Sequence, residues 1–120
     1  MKLIILDRDG VINQDRDDFV KSADEWIPIA GSMDAIAFLT EAGYTVAVAT
    51  NQSGIGRKYF TMQELTEMHN KMHRLAQQAG GVIDGIWFCP HTAADGCDCR
   101  KPLPGMVIDI LSRFNAEAAD

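Results

Sequence analysis

Apolar residues gather in three dense runs along the chain, and polar residues collect directly after each run. KLIIL at 2–6 and YTVAVAT at 44–50 read as buried strands, the second because it is rich in β-branched residues. VIDGIWF at 82–88 reads as a third, weakened by Gly85 in its middle. Between the first two, SMDAIAFLTEAG at 32–43 places Met33, Ile36, Ala37 and Leu39 at helical spacing, with Ser32 as the expected N-cap and Gly43 as the stop. Thr61 and Glu64 form a capping-box pattern that opens a helix running to about Ala79, where Gly80 and Gly81 end it. Its expected buried stripe is Met62, Leu65, Met68, Met72, Leu75 and Ala79. A last helix is expected from Pro104 through Val107, Ile108 and Leu111 to about Asn115. Strands alternating with helices predict an α/β fold: a parallel sheet joined by right-handed crossovers, with helices on both faces.

Residues 11–31 break this rhythm. They carry Asp15, Arg16, Asp17 and Asp18, then Trp26 and Pro28, without clean periodicity. A segment of that length directly after a strand is expected to hang over the strand ends as a flap. A plain solvated loop is the alternative.

Composition narrows the class. A chain of 120 residues with 47% apolar and 23% charged residues has the make-up of one globular domain. Its net charge of -6 argues against binding along a nucleic-acid backbone, so no nucleic-acid partner is expected. No apolar run approaches the roughly 20 residues of a membrane helix, and Asp7 interrupts any signal-peptide core. No membrane partner is expected either. The three cysteines all fall within 89–99, which suits metal ligation in a reducing compartment better than a disulfide framework. The expected location is the cytoplasm.

The polar residues after the strands carry the chemistry. Asp7 and Asp9 follow LIIL, and ligands of open α/β sheets bind beyond the carboxyl ends of the strands. TNQSG at 50–54 follows the second strand, and CRKP at 99–102 brings Arg100 and Lys101 after the third. Each stretch alone resembles an ordinary polar turn. Together they supply a nucleophile, an acid/base, neutral donors and a cation, the equipment of phosphoryl transfer. Cys89, His91, Cys97 and Cys99 are a separate signal. Three thiolates and an imidazole make a closed tetrahedral Zn²⁺ site with no position left for water, hence a structural one. His69 and His73 have metal-compatible spacing but no accompanying carboxylate motif, and are expected at the surface or boundary.

Asp7-Arg8-Asp9-Gly10, Thr50-Asn51-Gln52-Ser53-Gly54 and Arg100-Lys101-Pro102 resemble the first three motifs of haloacid dehalogenase (HAD) superfamily phosphatases. Within that superfamily, DRDGVIN, TNQSGIGR and CRKPLPGM resemble the D-glycero-D-manno-heptose 1,7-bisphosphate 7-phosphatases, close relatives of the histidinol-phosphate phosphatases. The resemblance implies a Rossmann-like HAD fold with Asp7 as nucleophile and Asp9 as acid/base. It implies that Thr50 and Lys101 bind the phosphoryl group, supported by Asn51, Gln52 and Ser53. Arg100 would reach the distal part of the substrate, and Asp15 and Asp18 of the flap would contact it. Mg²⁺ is implied on Asp7, the Asp9 carbonyl and an acid from a fourth motif, and Zn²⁺ in the cysteine loop. The implied partner is a small phosphorylated substrate, and the full-length protein is expected to be a monomer. The implied function is removal of the 7-phosphate from the heptose bisphosphate, within carbohydrate metabolism and lipopolysaccharide precursor biosynthesis. Histidinol phosphate is the alternative with the same chemistry. A non-catalytic, zinc-stabilised phospholigand-binding domain is the alternative of a different class. A polynucleotide 3′-phosphatase also fits the motifs, but the acidic balance counts against it.

The superfamily's fourth motif finds no counterpart. Nothing beyond Lys101 reads as a strand, and Asp109, Glu117 and Asp120 lie in or after a helix. The expectation is a single domain over 1–120, with a flap at 11–31 and a zinc loop at 89–101, that lacks its C-terminal strands. The free side of LIIL would then be bare.

Overall fold

A computed structural model describes residues 2–116; Glu117 and Asp120 lie outside the described residues. Strand β1 (Leu3–Leu6) is followed by helix α1 (Ser32–Glu41), β2 (Thr45–Asn51), the single turn α2 (Ser53–Gly56) and the long α3 (Met62–Gln78). Then come β3 (Gly85–Cys89), a 3-10 turn (Ala93–Asp95) and α4 (Gly105–Arg113). The sheet is parallel in the order β1-β2-β3, with Leu6 level with Val48 and Asn51 level with Cys89. All three strands therefore end on one edge.

The expected α/β class is the one observed, and β2 shows why it forms. Val46 through Thr50 are all buried, as a strand covered on both faces requires. Val48 joins a core with Ile36 of α1 and Leu65, Met68, Met72 and Ala76 of α3. Ala47 and Ala49 point the other way, to Met106 and Ile110 of α4. Small side chains on that side let α4 approach closely. Among the described residues, β1 pairs on one side only and its four residues are half-buried.

Several elements differ from their expected form. The third strand begins at Gly85 rather than Val82, because the Asp84 carboxylate accepts the Val46 N–H at 2.8 Å and takes a backbone acceptor's place in the ladder. Gly85 is required by Trp87: a Cβ there would lie 2.6 Å from the indole ring. The N-cap of α1 is Gly31, in a left-handed conformation, and not Ser32, whose hydroxyl donates to Ile12 O at 2.7 Å. The capping box of α3 forms as expected. Its buried stripe is Leu65, Met68, His69, Met72 and Ala76, so the stripe is rotated away from Met62, which is exposed. His69 is thus not a surface residue; it faces inward and meets a buried guanidinium.

Residues 11–31 are not a plain solvated loop. Ile12, Val20 and Trp26 belong to the α1–α3 core, and Asn13 bridges both Asp9 and Pro28. Lys71 of α3 donates to Ala23 O at 2.8 Å and Trp26 O at 2.6 Å, which staples the return limb. The tip, 14–18, is the longest exposed run of the segment.

Candidate active site

Where the strands end, a cavity of about 310 Å³ is lined by Asp7, Asp9, Asp15, Arg16, Phe19, Thr50, Asn51 and Lys101. Residues from three separate turns thus meet, as their position after parallel strands dictates. Lys101 Nζ lies 3.0 Å from Asp7 Oδ1 and donates to Ala49 O at 2.8 Å. The same Asp7 oxygen accepts the Arg8 backbone N–H at 2.8 Å. That leaves Asp7 Oδ2 without a protein partner among the described residues. Asn51 clamps the lysine's backbone at two points, accepting Lys101 N–H at 2.9 Å and donating to Lys101 O at 3.2 Å. Such a pair fixes the cation's stem as well as its head.

Asp9 is held more fully than Asp7. Its Oδ1 accepts from Arg8 Nε at 2.8 Å and from Asn13 Nδ2 at 2.9 Å. Its Oδ2 accepts from Gln52 Nε2 at 3.1 Å, and the same amide donates to Thr50 Oγ1 at 2.8 Å. Gln52 is buried behind the cavity, so it reaches the site through Asp9 and Thr50. Ser53 is buried in the first turn of α2 and does not line the cavity. Asp15 does line it. Asp18 does not: it takes a two-point pair with Arg16, at 2.9 and 3.2 Å, and a bond from Lys21 at 3.1 Å. Those hydrogen bonds, Arg16 first, hold the Asp18 carboxyl well below the usual range. Arg100 lines a neighbouring cavity with Thr92, Gly96, Cys97, Lys101, Pro102 and Leu103.

Two residues behind this site, Arg8 and His69, were given no functional role by the sequence. Arg8 is wholly buried, with Nε on Asp9 and Nη1 3.2 Å from His69 Nε2. Burial lowers the guanidinium's pKa from its usual value while Asp9 opposes the fall. Burial and the Arg8 charge push His69 down to about 3. The only sequence signal for Arg8 was its place between two carboxylates, where turns are often simply charged.

Beside this pocket, Cys89 Sγ, His91 Nδ1, Cys97 Sγ and Cys99 Sγ all lie within 4.8 Å of one another. Cys89 and Cys97 are 3.4 Å apart, Cys97 and Cys99 3.5 Å, and His91 Nδ1 lies 3.5 Å from Cys89 and 3.4 Å from Cys99. A tetrahedral zinc site with Zn–S bonds near 2.3 Å sets its sulfurs about 3.8 Å apart. The donor set and its spacing therefore fit a soft divalent cation. Crowding separates the thiols: burial raises both, but hydrogen bonds from Cys89 and Cys99 bring Cys97 down to about 7, while Cys99 is pushed up to about 12. The loop is moored to α4 at Gly105, whose N–H donates to Asp98 O at 2.9 Å and where a Cβ would lie 2.4 Å from that oxygen.

The chain is similar to known proteins over nearly its whole length. The family model described as polynucleotide kinase 3 phosphatase matches residues 2–119. A D-glycero-beta-D-manno-heptose-1,7-bisphosphate 7-phosphatase of Neisseria meningitidis serogroup A is 81% identical over 120 residues, which are 100% of this chain and 64% of that protein. The crystal structure of D,D-heptose 1,7-bisphosphate phosphatase from Bordetella bronchiseptica, complexed with magnesium and phosphate, superposes with a TM-score of 0.95 at 60% identity, covering 97% of this chain and 65% of that one. A Mesorhizobium loti protein described as a HAD-like phosphatase has a TM-score of 0.79 at 32% identity, covering 93% of this chain and 56% of that one. The chain spans about two thirds of the length of the curated relatives it matches. With its motifs, its sheet and its strand-end pocket in agreement, the chain belongs to the polynucleotide kinase 3 phosphatase family of HAD-like phosphatases.

Proposed function

We propose that these residues form the catalytic core of a Mg²⁺-dependent phosphomonoesterase that removes the 7-phosphate from D-glycero-D-manno-heptose 1,7-bisphosphate, a step toward lipopolysaccharide precursors. The observation that carries the reading is Asp7 paired with Lys101 at 3.0 Å, beside a second carboxylate held by its own donors. Asp7 attacks phosphorus, and its new O–P bond forms as the bond to the sugar oxygen breaks. Asp9 gives its proton to that leaving oxygen, then takes one from the water that hydrolyses the aspartyl-phosphate. Lys101 and Thr50 neutralise and orient the moving phosphoryl group, and Asn51 fixes the lysine. Gln52 supports Asp9 and Thr50, and Ser53 supports the turn.

The free Oδ2 of Asp7 and the adjacent Asp9 carbonyl are hard oxygen donors of the kind Mg²⁺ takes. The bound ion supplies charge neutralisation between carboxylate and phosphate. Zn²⁺ on Cys89, His91, Cys97 and Cys99 is structural and fixes the 89–101 loop that delivers Arg100 and Lys101. Residues 11–31 are the flap, with Asp15 toward substrate hydroxyls and Asp18 shaping the tip through Arg16 and Lys21. The protein is read as a single domain over these residues, a cytoplasmic monomer; no helix among the described residues is long and apolar enough to cross a membrane.

The test compares heptose 1,7-bisphosphate, histidinol phosphate and a 3′-phosphorylated oligonucleotide as substrates of a protein carrying these residues at the full length of its relatives. The heptose is expected to be turned over fastest. Faster release from the oligonucleotide would transfer the reading to nucleic acid, despite the net charge of -6.

A further inference from the structure

The most deeply buried charge in the site lies behind the pocket, not in it. Arg8 Nε donates to Asp9 Oδ1 at 2.8 Å, and Nη2 sits 2.7 Å from the same oxygen without hydrogen-bond alignment, so it acts there by charge. Nη1 reaches in the opposite direction, to His69 Nε2 at 3.2 Å and Met68 Sδ at 3.8 Å on α3. A guanidinium only donates. His69 Nε2 is therefore the acceptor, and the ring carries its proton on Nδ1. A neutral ring at physiological pH agrees with the downward shift of this histidine.

Partners are distributed unevenly over Asp9. Arg8 Nε, Arg8 Nη2 and Asn13 Nδ2 crowd Oδ1, whereas Oδ2 meets only Gln52 Nε2 among the described residues. A protonated Oδ2 still offers Gln52 a lone pair. The carboxyl group can thus gain or lose a proton on Oδ2 with every other bond intact. A proton on Oδ1 would face two donors and a cation.

We propose that Arg8 and His69 are positioning residues that keep Asp9 Oδ1 a permanent acceptor, so that Oδ2 alone carries and delivers the catalytic proton. The inference rests on the phosphatase reading above and deepens it. As the phosphorus–oxygen bond of the substrate breaks, its electron pair stays on the leaving oxygen and the Oδ2 proton joins it. In the second half-reaction Oδ2 takes a proton from water as the water oxygen bonds to phosphorus and the Asp7 oxygen–phosphorus bond breaks, its electron pair returning to the Asp7 carboxylate. His69 acts at one remove, by fixing Nη1 and with it the plane of the guanidinium.

Leaving groups provide the test. A sugar alkoxide needs a proton to depart, whereas the phenolate of p-nitrophenyl phosphate does not. In the full-length protein, His69→Leu should lower kcat/KM on the sugar phosphate about tenfold, a fraction of the 10²–10⁴ that general acid–base catalysis contributes. The same ratio for p-nitrophenyl phosphate should stay nearly unchanged, because it reports only the steps up to departure of the phenolate and not the hydrolysis that both substrates share. His69→Gln, which keeps an acceptor near the Nε2 position, should restore most of the loss. Equal losses of kcat/KM on both substrates, or no rescue by glutamine, overturn the proposal. If His69→Leu fails to fold, His69→Gln against the shorter His69→Asn gives the same contrast. Wild-type protein inactive on both substrates would instead overturn the phosphatase reading. The relay itself is checked without turnover, by ¹⁵N shifts of His69 in residues 1–120: an Nε2–H tautomer would remove it.

Discussion

The pocket and the cysteine loop stand side by side yet are held in different ways. Asp9 takes its donors from Arg8, Asn13 and Gln52, and Thr50 and His69 hold two of those donors in turn. In the loop, the ligand atoms of Cys89, His91, Cys97 and Cys99 meet chiefly one another, at 3.4–3.5 Å. Like groups pressed together do not hold a loop closed; a cation between them does. The acid/base half of the pocket is thus held by hydrogen bonds from several elements, while the loop carrying Lys101 is anchored through Asn51 and Gly105 and, on the proposed reading, closed by a cation.

The largest expected effect breaks the pocket at Asp7, its proposed nucleophile. Asp7→Asn should cost on the order of 10³-fold or more in turnover by the full-length protein, since the step it performs has no substitute. Its melting temperature should hold, because Asp7 is half exposed. Surviving hydrolysis would refute the aspartyl-phosphate mechanism. Next, Lys101→Ala should lower kcat by about 10²–10³-fold, the usual cost of one preorganised donor at a developing charge. Steady-state kinetics on one substrate rank the two.

Metal removal separates the regions. Elemental analysis should find about one zinc per chain, lost in Cys97→Ser, since a closed four-ligand site does not tolerate a missing thiolate. Hydrogen exchange should then rise over 89–101 while β1, β2 and α3 keep their protection. Protein purified without chelators and found free of zinc would contradict the assignment, and so would loss of protection throughout the sheet.

The contrast also explains what sequence could reveal. The C-terminal ends of the strands, the capping box at Thr61 and the clustering of Cys89, His91, Cys97 and Cys99 are local patterns; the strand ends fall within one residue of expectation, the box forms, and the four side chains come together. His69 was misplaced because helical periodicity assigned the buried stripe by hydrophobicity, and a histidine enters a core only where a partner waits. That partner, Arg8, is 61 residues away in the chain. Residues 11–31 lacked periodicity because Ile12, Val20 and Trp26 are buried singly from an irregular backbone. Asp84 displaced the start of β3 through a side chain that imitates the backbone, which no pattern of apolar residues records.

The smallest expected effect sharpens the comparison through pH. His69 is buried and faces the Arg8 cation, with His73 on its own helix also disfavouring its charge and Asp9 favouring it. Its pKa falls from the ordinary 6.5 to about 3 in the folded chain. Below pH 6.5 the unfolded chain therefore binds a proton that the folded chain refuses, and stability falls as pH drops from there toward 3. At pH 5.5 the loss from this one residue is roughly 1 kcal/mol. A metal held in the cysteine loop would also be released in acid, because its ligands protonate. Chelator-treated protein removes that contribution. In it, His69→Gln should flatten the denaturant midpoint between pH 7 and 5.5 relative to the unsubstituted chain, whereas His73→Gln, at an exposed position, should not. Identical slopes for the unsubstituted chain and His69→Gln would mean that the folded protein accepts the proton on His69, and that the ring does not stand as a neutral acceptor behind Arg8.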